Sequence, residues 1–179
     1  MIEPEAVAAR IEIAPQRRAI GLPEAVFHEI CSHALEAVPE ECCGLVLGAA
    51  GGSGAEGVGR FRRVYRCRNV MDRMHQDDPK AFPRSNHDAF YIDPRELWQA
   101  AREAERAGEA VTAVYHSHVG ARAYFSAMDR AYATQPGFPF PDADHVVVSV
   151  LDRQVRELGL FRPGPGGQLA GFPVESLPS

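Results

Sequence analysis

Apolar positions recur at helical spacing in "GLPEAVFHEICSHALEAVPEE", at Val26, Phe27, Ile30, Ala34, Leu35 and Val38. They predict a helix over residues 23–37 that opens with Pro23 in its first turn and stops at Pro39. The run "CCGLVLGAA" is short and continuously apolar, the signature of a buried strand, and "GGSGAEG" is a loop by composition. "VGRFRRVYRCRNV" then reads as the returning strand of a hairpin. Residues 71–89, "MDRMHQDDPKAFPRSNHDA", have two prolines and no period, and predict a long surface loop of the kind that is more often functional than incidental.

The pattern resumes with "FYID" as a strand. "PRELWQAAREAERAGE" is the clearest helix, with Leu97, Trp98, Ala101 and Ala104 on its apolar side and Gly108 at its end. "AVTAVY" reads as a central strand, "SAMDRAYAT" as a helix, "QPGFPFPDAD" as a proline-rich loop, and "HVVVSVLD" and "VRELGLFR" as two strands joined by a short turn. The end, "PGPGGQLAGFPVESLPS", is expected to be loosely held. Strands interleaved with helices predict an α/β fold, a single-domain mixed β-sheet flanked by helices.

Composition narrows the functions open to such a fold. At 179 residues one core suffices, so one site on one scaffold is expected. No apolar run approaches a membrane span. The start "MIEPEAVAARIEIAPQRR" lacks the basic and apolar regions of a secretory signal, so a cytoplasmic location and no membrane partner are expected. A net charge of −5 gives nucleic-acid binding no support. Cys31, Cys42, Cys43 and Cys67 form neither a CxxC pair nor a regular disulfide framework and read as reduced, mostly buried thiols. Arg60, Arg62, Arg66 and Arg68 alternate, which predicts one basic strand face: a solvated edge on the ordinary reading, a docking face for an acidic partner on the functional one.

The chemistry gathers in "AVYHSHVGARAYFSAMDRA", residues 113–131. His116 and His118 are two apart, so an extended chain projects both side chains from one face, directly after the central strand, where α/β sheets place their sites. Ser126 suits a helix N-cap with Asp129 at the third helical position. A strand ending in HxH and a helix beginning with SxxD could bring two imidazoles and a carboxylate to one point, a ligand set for catalytic zinc with one position left over. Either half alone is more often turn histidines or a simple cap; the two together, separated by "VGARAYF", are more specific.

"HSHVGARAYFSAMD" resembles the HxHx7SxxD signature of the JAMM, or MPN+, zinc metalloprotease family. "VPEECCGLVLG" matches the PxExCG junction of its bacterial members through Pro39, Glu41, Cys43 and Gly44. The resemblance covers residues 22–162 as the metalloprotease domain and leaves 1–21 as an N-terminal extension and 163–179 as a C-terminal tail. It implies the MPN/JAMM sandwich, similar to that of cytidine deaminases. It makes His116, His118 and Asp129 zinc ligands, Glu41 rather than neighbouring Glu40 the general base, and Ser126 a donor to the oxyanion. Where many members carry proline after the second histidine, this chain has Val119 and Gly120, a change that bears on substrate fit. His28, His33, His75, His87 and His145 are left as structural or surface residues, with His75 or His87 open to substrate contact from the long loop.

The resemblance further implies hydrolysis of a peptide or isopeptide bond after the Gly-Gly end of a ubiquitin-like protein. In the bacterial branch the implied partner is a ubiquitin-like sulfur-carrier protein, with release of cysteine or a few residues; a non-catalytic module that binds such tails is the alternative, and a homodimer is left open. A narrow tail could lie as an added strand, with residues 71–89 and "QPGFPFPD" as walls of its channel.

Overall fold

The computed structural model describes residues 10–51 and 59–178. In chain order its elements are β1 (Ile20–Pro23), α1 (Glu24–Ala37), β2 (Cys43–Gly48), β3 (Arg63–Cys67), α2 (Met71–Asp77), α3 (Pro94–Arg106), β4 (Ala110–Val119), α4 (Ala127–Thr134), β5 (Asp144–Leu151), β6 (Gln154–Pro163) and β7 (Leu169–Leu177). Among the described residues they form a seven-stranded mixed sheet, in the order β1-β7-β6-β5-β4-β2-β3. The β4–β5 and β1–β7 pairs are parallel and the other pairs antiparallel.

Alternation along β4 sends Ala113 and Tyr115 to one face, where Val26, Ile30 and Ala34 of α1 cover them, and Val114 to the other, where it packs with Leu97 and Ala100 of α3. Helices therefore bury both faces, which is why β2 is buried at all six positions and reads as an unbroken apolar run. Gly44 on β2 lies under the Tyr115 ring, which a Cβ there would overlap, so the glycine of "CCG" is a packing requirement. Tyr115 is fixed in turn by a 2.7 Å hydrogen bond between its hydroxyl and His33 Nδ1.

Several expectations need correction. Residues 71–89 contain a helix, α2, and are clamped: Asn86 N–H donates to Asp72 Oδ1 at 2.7 Å, and Asp72 N–H to Asn86 Oδ1 at 2.9 Å. These side-chain bonds replace a periodic pattern, which is why the sequence hides the order. "FYID" is not a strand; Ile92 makes a single bridge to Asn69, while Phe90 and Ile92 still point into the core. Trp98 is 70% exposed, because α3 turns Leu97, Ala100 and Ala104 inward. The carboxyl-terminal stretch is not loose: β7 pairs with both β6 and β1.

The alternating arginines do not form a common face. Arg60 binds buried Asp144, Arg62 and Arg63 reach Glu109, and Arg66 reaches Glu29 and Glu36 of α1. All four cysteines are free thiols, three of them buried. All but the first residue of the loop read at "GGSGAEG", and the first nine residues of the N-terminal extension, lie outside the described residues.

Candidate metal centre and its cleft

The centre is built where β4 leaves the sheet. His116 and His118 share the face of β4 opposite α1, and Ser126 and Asp129 open α4 across from them. Ser126 caps that helix in a full capping box: its Oγ accepts the Asp129 N–H at 3.0 Å, and Asp129 Oδ2 accepts the Ser126 N–H at 2.8 Å. The box turns the Asp129 carboxylate toward the histidines. His116 Nε2 lies 3.2 Å from His118 Nε2 and 3.2 Å from Asp129 Oδ1, and His118 Nε2 lies 3.4 Å from Asp129 Oδ2.

Those separations test the fit of a metal. Ligand bonds of about 2.0–2.1 Å at tetrahedral angles put neighbouring donor atoms about 3.3 Å apart, close to the separation of the two imidazole nitrogens and to that of each from one oxygen of Asp129. The three residues are buried, and one donor atom from each lies within 4.8 Å of the others, so the group could hold a metal ion. His118 Nδ1 hydrogen-bonds the Arg122 carbonyl at 2.9 Å, which makes Nδ1 the donor and leaves the Nε2 lone pair facing the site. Phe90 stacks on the His116 ring at 4.4 Å between centroids and holds its plane.

The electrostatics of Asp129 and His116 suit ligation. Burial alone would raise the Asp129 carboxyl, but His116 and His118 outweigh it and hold the group well below the usual carboxylate range, so it is ionised. Desolvation lowers His116, favouring the neutral ring that a metal requires. His145 is also buried, between Phe125 and Phe138, and is held down to about 4 by desolvation and then by His116; it packs beside the centre and is not among the grouped donors.

Glu41 enters from the other side. Its N–H donates to the Asn86 carbonyl at 2.8 Å and its own carbonyl accepts from Asn69 Nδ2 at 3.0 Å, so both flanks of the peptide are fixed. The side chain is buried, and desolvation pushes its carboxyl up to about 8 in the metal-free protein, with His118 opposing. Neighbouring Glu40 instead faces Asn86 Nδ2.

Glu41, His118, Ser126 and Asp129 line one cleft of about 320 Å³. Arg84, His87 and Asp88, from the segment after α2, line it as well, so the long segment does border the site. "QPGFPFPD" does not: Pro139, Phe140 and Pro141 line a separate depression with Arg60 and Thr112 at the other end of β4. His75 is occupied by the Phe82 carbonyl at 2.6 Å. In place of the family's proline, Val119 ends β4 and Gly120 turns the chain at φ +77, its N–H bonded to the Val150 carbonyl at 2.8 Å. Sequence reasoning missed Arg10 and Tyr124 in the cleft and Asn69 and Asn86 behind Glu41; none belongs to a periodic pattern or a motif.

A buried two-histidine, one-carboxylate centre at a strand end of a helix-covered mixed sheet defines a JAB-type domain, and residues 23–159 match the family of prokaryotic homologs of the JAB domain. The chain belongs to that family. It is similar to the solution structure of a protein from Desulfitobacterium hafniense, at 22% identity and a TM-score of 0.61, covering 89% of this chain and 93% of that one. It is also similar to the solution structure of a protein from Salinibacter ruber, at 25% identity and a TM-score of 0.53, covering 89% and 90%. A search of curated proteins found no match.

Proposed function

We propose that this chain is a zinc-dependent metallopeptidase that hydrolyses the bond after the carboxyl-terminal Gly-Gly tail of a ubiquitin-like sulfur-carrier protein. The observation that carries the reading is the convergence of His116, His118 and Asp129 to 3.2–3.4 Å, with His118 and Asp129 on the wall of a cleft shared with buried Glu41. His116, His118 and Asp129 would hold the zinc, which would supply Lewis acidity and bring the pKa of a bound water down to about 7.

The chain's own residues do the rest. Glu41 lines the same cleft as the ligand candidates, and as a carboxylate beside the ion it would take a proton and return it to the departing amine. Ser126 Oγ accepts the Asp129 N–H, so its own hydroxyl proton remains to hydrogen-bond the oxygen of the attacked carbonyl. A cleft of this size favours a tail without side chains near the reacting bond, as glycines provide.

The test is to incubate the zinc-loaded protein with a sulfur carrier bearing one cysteine after Gly-Gly and to follow the carrier by mass. Loss of that cysteine with wild type and not with Glu41→Ala supports the peptidase. Tight binding without cleavage would overturn it in favour of a tail-binding module.

A further inference from the structure

The family match begins at residue 23, yet one wall of the cleft comes from ahead of it. Ile11 N–H donates to the Phe125 carbonyl at 2.8 Å and Phe125 N–H to the Ile11 carbonyl at 2.9 Å, joining the N-terminal segment to the loop between the ligands. Ala14 N–H bonds the Gly171 carbonyl at 3.1 Å, and Ile11 and Ile13 pack against Ala123, Phe125 and Phe161. These contacts deliver Arg10 into the cleft.

We propose that Arg10 receives the carboxylate of a bound chain end and so selects substrates whose leaving residue carries a free α-carboxyl group. The inference rests on the peptidase reading above. The Arg10 guanidinium lies over the Tyr124 ring at 4.6 Å, and that ring is 4.9 Å from His118, so the cation stands one aromatic side chain away from a candidate ligand. Stacking uses the face of the guanidinium and leaves its in-plane N–H groups, which suit two carboxylate oxygens at once.

Arg10 has one acidic neighbour: its Nε lies 2.7 Å from Glu12 Oε1 in an ion pair that is not aligned as a hydrogen bond. The Glu12 side chain is 58% exposed, and ion pairs at such sites are weak enough to be exchanged for a substrate carboxylate. The cleft's other guanidinium, Arg84, is also in an exposed ion pair, 3.8 Å from Asp88, but only Arg10 lies over the ring beside His118; the remaining acids, Glu41 and Asp129, belong to the centre itself. At about 320 Å³ the cleft is at the small end of ligand sites and takes a short chain end.

The test uses the zinc-loaded Glu41→Gln protein and calorimetric binding of three short peptides: one ending Gly-Gly-Cys as the free acid, the same peptide as its amide, and an amide ending Gly-Gly-Asp. The free acid is expected to bind about tenfold tighter than either amide. Adding Arg10→Gln should bring that ratio close to one, and Arg10→Lys should restore part of it. Equal affinity for acid and amide, or a preference that survives Arg10→Gln, would overturn the proposal, and Gly-Gly-Asp amide binding like the free acid would overturn the chain-end assignment. Failure of the peptidase reading is separate: wild type would leave the carrier substrate uncut while the acid preference and its dependence on Arg10 persisted.

Discussion

Cys43 stands opposite His116 in the antiparallel ladder of β2 and β4, a pairing that closes 73 residues of chain. Continuing that register brings Cys42 beside Ser117, whose Oγ accepts the Cys42 N–H at 2.8 Å, and then Glu41 toward His118. One register thus sets the distance between the acid–base candidate and the metal candidates. A slip of one residue would turn either set away from the cleft.

If the three donors hold zinc, adding the ion should stabilise the protein by mass action, by about 2.7 kcal/mol at a hundredfold excess over Kd. Thermal unfolding with and without zinc checks this. His116→Ala should abolish the shift, and a shift that persists would place the ion elsewhere.

Glu41 predicts a pH dependence in the metal-free protein. Its folded pKa, about 8, is raised above an unfolded value of about 4.3, so the native state binds the extra proton. The stability this contributes is full below about pH 4.3 and is lost as pH rises through about 8. Relative to Glu41→Gln, the metal-free wild type should therefore lose stability steadily across that window. Parallel denaturation curves for the two proteins would refute the burial argument.

Ser126→Ala removes the cap of α4 and half of its capping box, at a cost of about 1 kcal/mol. That should lower Tm by about 2–4 °C in a domain of this size. On the proposed function, carrier cleavage should fall by far more than the loss of folded protein explains, because the hydroxyl proposed to serve the attacked carbonyl is lost as well. Cleavage that merely tracks stability would confine Ser126 to capping.

Asp144 is fully buried between Arg60 and Arg162, with N–O distances of 3.1 and 2.9 Å. Asp144→Asn takes away the carboxylate charge that both guanidinium groups share and should cost about 3 kcal/mol. Urea denaturation measures it, and a loss under 1 kcal/mol would show that water compensates the arginines.

What could be read in advance followed from periodicity and motif. The α1 helix, the β2–β3 hairpin and the capped start of α4 are local patterns, visible in Pro23, the apolar "CGLVLG" and the Ser126–Asp129 spacing. The order within 71–89 was hidden because Asn69, Asp72 and Asn86 hold it through side-chain bonds to backbone across long gaps, and such bonds leave no period. Trp98 misled because an apolar side chain on a helix need not face the core when smaller residues, here Ala100 and Ala104, allow closer approach to the sheet. Arg10 was invisible for a related reason: its position depends on a bridge to Phe125, more than a hundred residues away.

The bond from the Ser126 N–H to Asp129 Oδ2 gives one carboxylate two duties. Swinging Asp129 out of the candidate metal centre would break half of the capping box of α4, and fraying the first turn of α4 would release the carboxylate. Loading of the centre and order at the start of that helix are therefore a single latch, so amide exchange at Ser126 and Asp129 should slow together when metal binds.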